Sequence, residues 1–165
     1  ILIAPIARTS EAQYRACLSA NLDTAFFTGK AYASALQKNK RAGSLILFSS
    51  VAAASGVGNH AAIAIAKGGI EALVRSLAAD FSSIGLRVNA IAPGLMQTPA
   101  TERMVSNEAA AKQIAAQYPL GRYGQAIDAA NLAAFLISDQ ASWISGQIIS
   151  VDGGFSAVRP YVKSA

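Results

Sequence analysis

The chain has 165 residues, of which 53% are hydrophobic and 14% are charged, and its net charge is +5. This is the length of one ordinary domain, and the apolar content is too high for a disordered chain. The basic residues are scattered rather than gathered into a stripe, and a single Cys and a single His cannot build a disulfide or a metal centre, so composition argues against a nucleic-acid surface and a metal site.

The first part of the chain predicts a long helix followed by a buried strand. Ser10 and Glu11 form a helix start signal, a hydroxyl cap with an acid in the first turn. Apolar residues at helical spacing, Phe26 among them, continue this pattern to about Lys38. After a polar turn, residues 44–49 form a short apolar run, which is typical of a strand buried on both faces.

The second part of the chain alternates helices with strands. We place Leu132, Phe135 and Leu136 on the core side of the last helix. The alternation is the order of a parallel α/β sheet, so we expect a three-layer αβα Rossmann-like fold in a single domain over residues 1–165. The predicted elements are helices over residues 61–83, 99–117 and 126–138 and strands over residues 86–92 and 147–151.

The lone cysteine and the distribution of apolar residues predict where the protein is found. Cys17 lies in a helical pattern without a disulfide partner, so we interpret it as a small buried hydrophobic residue in a reducing, cytoplasmic setting. No charged leader with an apolar core opens the chain, and no apolar run is long enough to span a bilayer. We therefore expect no association with membranes.

A glycine-rich stretch before the second helix has the form of a dinucleotide fingerprint. Residues 56–61 fit G-x-G-x-x-A, and Asp80 follows at about the distance of the acid that binds the ribose. The fingerprint glycine must lie at the end of a strand, whereas residues 49–55 intervene here. Asp80 also falls near the end of a helix, so we interpret the match as a chance one in a loop.

A more specific set of motifs runs through nearly the whole chain in order. The motifs are Asn21-Leu22, the strand leading to Ser50, Lys67-Gly-Gly, the segment from Arg87 to Gly94, Thr98, Asp128 and the segment from Ser145 to Gly154. Their order and spacing resemble the short-chain dehydrogenase/reductase family. Chains of that family begin with a Gly-rich loop for the cofactor's pyrophosphate, so the resemblance implies that this sequence is the C-terminal portion. The strand over residues 44–48 would then have an open, apolar edge.

The resemblance implies an NAD(P)-dependent oxidoreductase that moves a hydride between a nicotinamide and a small carbonyl or alcohol substrate. It implies that Ser50 hydrogen-bonds the substrate oxygen, that Lys67 holds the nicotinamide ribose, and that Asn21 orders a water in a proton relay. It also implies a homodimer or homotetramer. The residues that would contact the nicotinamide end of NAD or NADP, the only end this chain could bind, are Lys67, Pro93, Gly94 and Thr98.

One position departs from the family pattern. Ile63 stands four residues before Lys67, where the family has its proton-transferring tyrosine, and isoleucine cannot transfer a proton. His60, Tyr118 or Tyr123 could supply a substitute; alternatively His60 is a residue at a loop–helix junction that caps the helix or faces solvent. Two hypotheses follow: an oxidoreductase of low or altered activity, and a non-catalytic binding or oligomerisation module.

Overall fold

The structure is a computed structural model that describes residues 2–159; residues 1 and 160–165 of the predicted domain lie outside this part. Its strands are β1 (Gly43–Phe48), β2 (Leu86–Pro93), β3 (Met96–Gln97), β4 (Gly124–Gln125) and β5 (Ile148–Val151). Its α-helices are α1 (Glu11–Leu18), α2 (Thr24–Asn39), α3 (Ala61–Asp80), α4 (Glu108–Ala115) and α5 (Ala126–Ile137).

The centre of the molecule is a parallel sheet in the order β1-β2-β5. Leu47 of β1 lies opposite Ala90 of β2, and Ile91 lies opposite Ile149 of β5. Strands β3 and β4 pair in parallel as a separate two-residue ribbon, which the sequence pattern did not indicate because each strand is so short. The predicted parallel α/β fold is confirmed.

Helices cover both faces of the sheet, which gives the predicted three layers. Leu47, Val88 and Ala90 point to one face and pack with apolar residues of α2 and α3. Ile91 packs on the other face with α5 residues such as Leu136. Alternate residues of a strand point to opposite faces, so a nearly continuous apolar strand serves both cores at once. Burying a large side chain such as Leu47, Val88 or Ile91 stabilises the fold by about 2 kcal/mol.

Polar side chains of β2 fix the connection between α5 and β5. The Arg87 guanidinium donates hydrogen bonds to Leu136 O at 2.9 Å and to Ser138 O at 3.2 Å, at the end of α5. Asn89 is fully buried, and its amide donates to Ile144 O at 2.9 Å and accepts from Gln147 N at 3.0 Å. These bonds satisfy backbone groups that have no helix or strand partner.

The start of α5 is fixed by Asp128, which the sequence already placed near a helix start. Its carboxylate accepts hydrogen bonds from Gln125 N at 2.8 Å and from both terminal nitrogens of Arg122, at 2.7 and 3.0 Å. The hydrogen bond from Arg122 and that from Gln125 lower the pKa of Asp128 to about 2. The acid therefore stays ionised where the helix N-terminus favours negative charge.

Two predictions about helices are wrong. In place of one helix over residues 99–117, the structure has a 3-10 turn over Glu102–Val105 and then α4. Asn107 separates the two because its side chain accepts a hydrogen bond from Ala110 N at 2.8 Å and starts a new helix. Phe135, predicted to lie on the core side of the last helix, is 39% exposed, because periodicity does not separate a helix face on the sheet from one beside it. Phe26, which continues the pattern of the first helix, is 48% exposed.

Among residues 2–159, the outer edge of β1 pairs with no strand. Phe48, the last residue of β1, is 47% exposed. Over the same residues, no helix combines the length and the apolar character needed to cross a membrane.

Candidate active site

A cavity of about 520 Å³ opens where β1 and β2 end. The carboxyl ends of parallel strands meet at one edge of a sheet, and ligands of such folds bind there. Most of the residues that the sequence singled out for catalysis or cofactor binding line this cavity, Tyr123 being the exception: Asn21, Ser50, His60, Lys67, Pro93, Gly94, Thr98 and Tyr118. The structure thus brings these side chains together, while their roles stay predictions.

Ser50 lies just beyond the end of β1 and caps a 3-10 turn over Val51–Ala53. Its Oγ accepts a hydrogen bond from Ala52 N at 3.2 Å. Among the described residues it donates no hydrogen bond, so its proton is available to an acceptor in the cavity. A serine that would otherwise only end a strand can therefore hold a carbonyl or alcohol oxygen.

Lys67 projects from α3, and its ammonium donates a hydrogen bond to Phe48 O at 2.9 Å. This bond joins the second turn of α3 to the last carbonyl of β1. Burial lowers the pKa of Lys67, and the smaller influence of Cys17 raises it. An ammonium has three N–H donors, so two remain for a ligand after the bond to Phe48.

A second link between α3 and β1 was missed by the sequence analysis. Ser49 is only 4% exposed, and its Oγ lies 2.7 Å from Glu71 Oε1, to which it donates a hydrogen bond. Glu71 lies one helical turn after Lys67, and the same hydroxyl is 3.4 Å from Lys67 O. The only sequence signal for this link was the pair of adjacent serines, of which the motif singled out Ser50 alone.

Asn21 lies in a π-helical turn over Ser19–Asp23, between α1 and α2. Its amide nitrogen donates to Cys17 O at 2.9 Å, which occupies a carbonyl that the wider turn leaves free. Such bulges within α-helices are frequent at functional sites. The predicted single long helix is therefore continuous in direction, with an irregular turn at the residue of interest.

Close contact between α3 and this turn places Asn21 in the cavity wall with Lys67. A Cβ on Gly69 would lie 2.8 Å from Leu22 Cδ1, closer than atoms can pack. A larger residue at position 69 would therefore require the Leu22 side chain to shift. Of the two glycines that follow Lys67, Gly69 has this packing role, whereas a Cβ on Gly68 would meet nothing within 4 Å.

His60 is the residue just before α3, and it makes no side-chain cap to the helix. Its Nδ1 lies 2.6 Å from Gly58 O. A carbonyl oxygen can only accept, so Nδ1 must carry the proton of this bond. In the neutral ring Nε2 is then left as an acceptor for a cavity ligand. The His60 side chain does not cap the helix, but the ring is only half-buried, so the alternative that it faces solvent stays open.

Tyr118 and Tyr123, the other proposed proton donors, differ in position. Tyr118 is 8% exposed and lines the cavity, and its phenol oxygen accepts from Leu95 N at 2.7 Å. Burial raises the pKa of Tyr118 against the opposing effect of the Leu95 bond, and Asp152 raises it further. Tyr123 is not among the described residues that line the cavity.

The bend at Pro93-Gly94 brings Tyr118 against the end of β2. A Cβ on Gly94 would lie 2.9 Å from Tyr118 Cε1 and 3.1 Å from Asp152 Cβ. No larger residue fits there without displacing the tyrosine ring. Glycine at this position therefore shapes the floor of the cavity.

Thr98 follows β3 and is held by a residue that the sequence analysis missed. The buried Thr101 accepts from Thr98 N at 3.0 Å, and the two hydroxyl oxygens also lie 3.0 Å apart. Thr101 in turn donates to Met96 O. Two threonines three residues apart after a strand were the available signal for this turn.

Ile63 lines the cavity one helical turn before Lys67 and is 6% exposed. It forms a small apolar cluster with Cys17 and Ala62, and Tyr14 packs against this cluster. Cys17 is buried, as predicted. The position that the resemblance gives to a tyrosine is thus occupied by a packed aliphatic side chain.

The cavity wall is poor in charge. Its titratable groups among residues 2–159 are His60, Lys67 and Tyr118, and no carboxylate lines it. Over the same residues, no group of three or more His, Cys, Asp or Glu is placed to share a metal ion. The polar groups present are hydroxyls, two amides, an imidazole and an amine, which suit an uncharged polar group such as a carbonyl, an alcohol, a carboxamide or a ribose.

The chain is similar in sequence to known reductases and dehydrogenases. A family model described as enoyl-(acyl carrier protein) reductase matches residues 2–156. The 3-oxoacyl-[acyl-carrier-protein] reductase FabG of Escherichia coli is 37% identical over 151 residues, which are 92% of this chain and 61% of that protein. The inactive 2-(S)-hydroxypropyl-CoM dehydrogenase 2 of Xanthobacter autotrophicus is 34% identical over 145 residues, covering 86% of this chain and 63% of that protein.

The fold of the chain is also similar to that of a solved dehydrogenase structure. A 4-hydroxyisoleucine dehydrogenase complexed with NADH superposes with a TM-score of 0.90 at 29% identity, covering 95% of this chain and 65% of that chain. The chain spans between 56% and 63% of the length of the curated relatives it matches.

The first prediction concerns the cost of burying the Lys67 charge. Between its lowered folded pKa and the ordinary lysine value, the unfolded chain binds more protons than the folded one, so stability rises with pH across this window. Lys67→Met removes the effect. We expect the variant's gain in free energy of unfolding over the parent to be largest at neutral pH and to fall toward about pH 10.

Guanidinium unfolding at several pH values measures this difference, and other groups cancel between the two proteins. The matched control is Lys112→Met, which removes an exposed lysine of α4 and should change stability equally at all these pH values. A Lys67→Met difference that does not vary with pH would contradict the interpretation.

Proposed function

Since the chain belongs to the short-chain dehydrogenase/reductase family, we propose that it takes part in nicotinamide-dependent oxidation or reduction of a small alcohol or carbonyl compound. The observation that supports this most strongly is the convergence of Ser50, Lys67 and Asn21 on one cavity at the carboxyl ends of β1 and β2. Matching relatives named as reductases and dehydrogenases support the same reaction class.

The donor set of the cavity fits the nicotinamide end of NAD or NADP. Lys67 has two N–H groups free for ribose hydroxyls, and Thr98 has a hydroxyl near the Pro93-Gly94 bend that suits a carboxamide. When bound, the nicotinamide supplies or accepts a hydride. Lys67 is the only Lys or Arg among the described residues of the cavity wall, which gives a pyrophosphate little positive charge, so we propose that this chain contacts the nicotinamide end alone.

The chain's own residues position the substrate. The Ser50 hydroxyl donates a hydrogen bond to the carbonyl oxygen of the substrate. This hydrogen bond becomes stronger as negative charge develops on that oxygen. The Asn21 side chain, whose nitrogen is taken by Cys17 O, presents its oxygen to a water of the relay. The apolar side chain of Ile63 supplies no proton, so we propose that proton transfer is slow or goes through another group.

His60 is the better candidate for that group. With Nδ1 occupied by Gly58 O, its Nε2 can take a proton from an alcohol, and the doubly protonated ring can return one to an alkoxide. Tyr118 is the weaker candidate because burial raises its pKa, which makes the phenol a weaker acid, and because its oxygen already accepts a hydrogen bond from Leu95 N.

The second candidate function is a non-catalytic binding or oligomerisation module of the same fold. Ile63 favours it, since a packed aliphatic residue replaces the expected acid, and so does the 34% identity to a relative named as inactive. Exposed apolar residues on α2 and α5 and a fully exposed Trp143 support a homodimer or homotetramer under either function. The isolated, buried cysteine is compatible with a cytoplasmic protein.

A binding titration separates the two functions. We expect NADH or NADPH to bind the purified protein, with a change in nicotinamide fluorescence that is lost in Lys67→Ala. Binding together with slow turnover of a ketone panel supports the oxidoreductase, and binding without turnover supports the module. Absence of binding would refute the cofactor site.

The second prediction of this proposal concerns the proton donor. We expect His60→Ala to lower turnover by about 10²-fold or more, since positioned acid–base groups contribute at this level, whereas Tyr118→Phe keeps most of the rate. The measurement is kcat in the presence of saturating nicotinamide. If Tyr118→Phe is the damaging change, the assignment is reversed.

The third prediction restores the expected acid. Ile63→Tyr should raise kcat by about 10²-fold, because a phenol one turn before Lys67 lies beside the cation that stabilises its ionised form. Ile65→Tyr, on an exposed position of the same helix, is the control and should leave kcat unchanged. An unchanged rate in Ile63→Tyr would show that position 63 does not limit proton transfer.

A further inference from the structure

We propose that Lys67 captures apolar aldehydes and ketones covalently, as a Schiff base formed on its Nζ inside the cavity. This activity goes beyond hydride transfer and needs no nicotinamide. It rests on three features of the same cavity: an amine with no acidic partner, a predominantly apolar wall, and a hydroxyl placed to hold a carbonyl oxygen.

The amine has no acidic partner. Lys67 Nζ donates to a backbone carbonyl, Phe48 O, and forms no salt bridge with a carboxylate among residues 2–159. Glu71, the acid nearest along α3, accepts the Ser49 hydroxyl. An amine needs its lone pair to attack a carbonyl, and a bond to a neutral acceptor can be kept by the uncharged amine.

The titratable groups around Lys67 do little to hold its proton. They are His60 before α3, Tyr118 beyond α4, Cys17 on α1 and Glu71 on α3 itself. Burial lowers the pKa of Lys67, and Cys17 only partly opposes this effect. A desolvated lysine of this kind carries more free amine at neutral pH than an exposed one, which is how proteins activate lysines as nucleophiles.

The wall of the cavity selects apolar carbonyl compounds. Ile63 presents an aliphatic side chain one turn before Lys67, where a phenol would otherwise compete for the amine. Further apolar residues complete the wall: Val57, Met104, Ile114, Ala129 and Phe155. A straight alkyl chain can bury its surface here while its carbonyl lies at the polar end, and a strongly polar aldehyde gains less.

The step balances without an oxidant or reductant. Nζ of the free amine forms a bond to the carbonyl carbon, the nitrogen then loses one proton, and the carbonyl oxygen, hydrogen-bonded by Ser50, takes up one proton to give a neutral carbinolamine. That hydroxyl is then protonated and leaves as water, so one amine, one carbonyl compound and one proton give a protonated Schiff base and one water. His60 Nε2 is the cavity group suited to pass the proton.

The test is reductive trapping on the purified protein. Hexanal and sodium cyanoborohydride are added at pH 7, so that any Schiff base becomes a stable secondary amine, and peptide mass mapping gives the rate at each lysine. We expect Lys67 to be alkylated at least about tenfold faster than the exposed Lys30 and Lys112, which are internal references in the same molecule.

Three controls bear on the fold and the substrate class. The preference for Lys67 should vanish in guanidinium chloride, and fast labelling should vanish in Lys67→Arg but persist in Lys112→Arg. Glycolaldehyde, a small polar aldehyde, should show a smaller preference for Lys67 than hexanal does.

Equal rates at Lys67, Lys30 and Lys112 in the unaltered protein would overturn the proposal, and this outcome does not depend on any variant folding. An equal preference with glycolaldehyde would overturn the apolar selectivity. The result is independent of the titration with NADH, because a protein that binds no nicotinamide can still be alkylated at Lys67.

Discussion

Two hydrogen bonds fasten helix α3 to the end of β1, and the arrangement of the cavity depends on them. Lys67 donates to the last carbonyl of the strand, and Ser49 donates to Glu71 one turn further along the helix. Both lie at the point where the strand turns into the loop that carries Ser50. Because Ser50 directly follows Ser49, these two hydrogen bonds hold the Ser50 hydroxyl and the Lys67 amine in a constant position relative to each other.

The packing of the sheet and of α3 supports these two hydrogen bonds. β2 pairs with β1 along its whole length, and α3 packs on both strands through a closely packed apolar layer. Arg87 and Asn89 then hold the connection that brings β5 into the sheet. Polar residues of a central strand thus serve the architecture, and the strand end, which bears Pro93 and Gly94, is left to shape the cavity.

Much of this could be predicted from the sequence, for identifiable reasons. Buried parallel strands read as short apolar runs, so β1 and β2 were found. The family resemblance predicted a common site for Ser50, Ile63 and Lys67, and all three line one cavity. Other features depend on tertiary contacts that no local pattern carries. The β3–β4 ribbon has two residues in each strand, the Ser49–Glu71 bond joins distant residues, and the exposure of Phe135 depends on what packs beside α5.

The open edge of β1 has a bearing on reactivity as well as on architecture. Phe48 is at once the last residue of that edge strand and the acceptor for the Lys67 amine. A strand paired with this edge would screen Phe48 from water and would further desolvate the Lys67 amine beside it. Whatever covers this edge, whether another part of the same protein or a second copy of it, would therefore also change the solvation of Lys67.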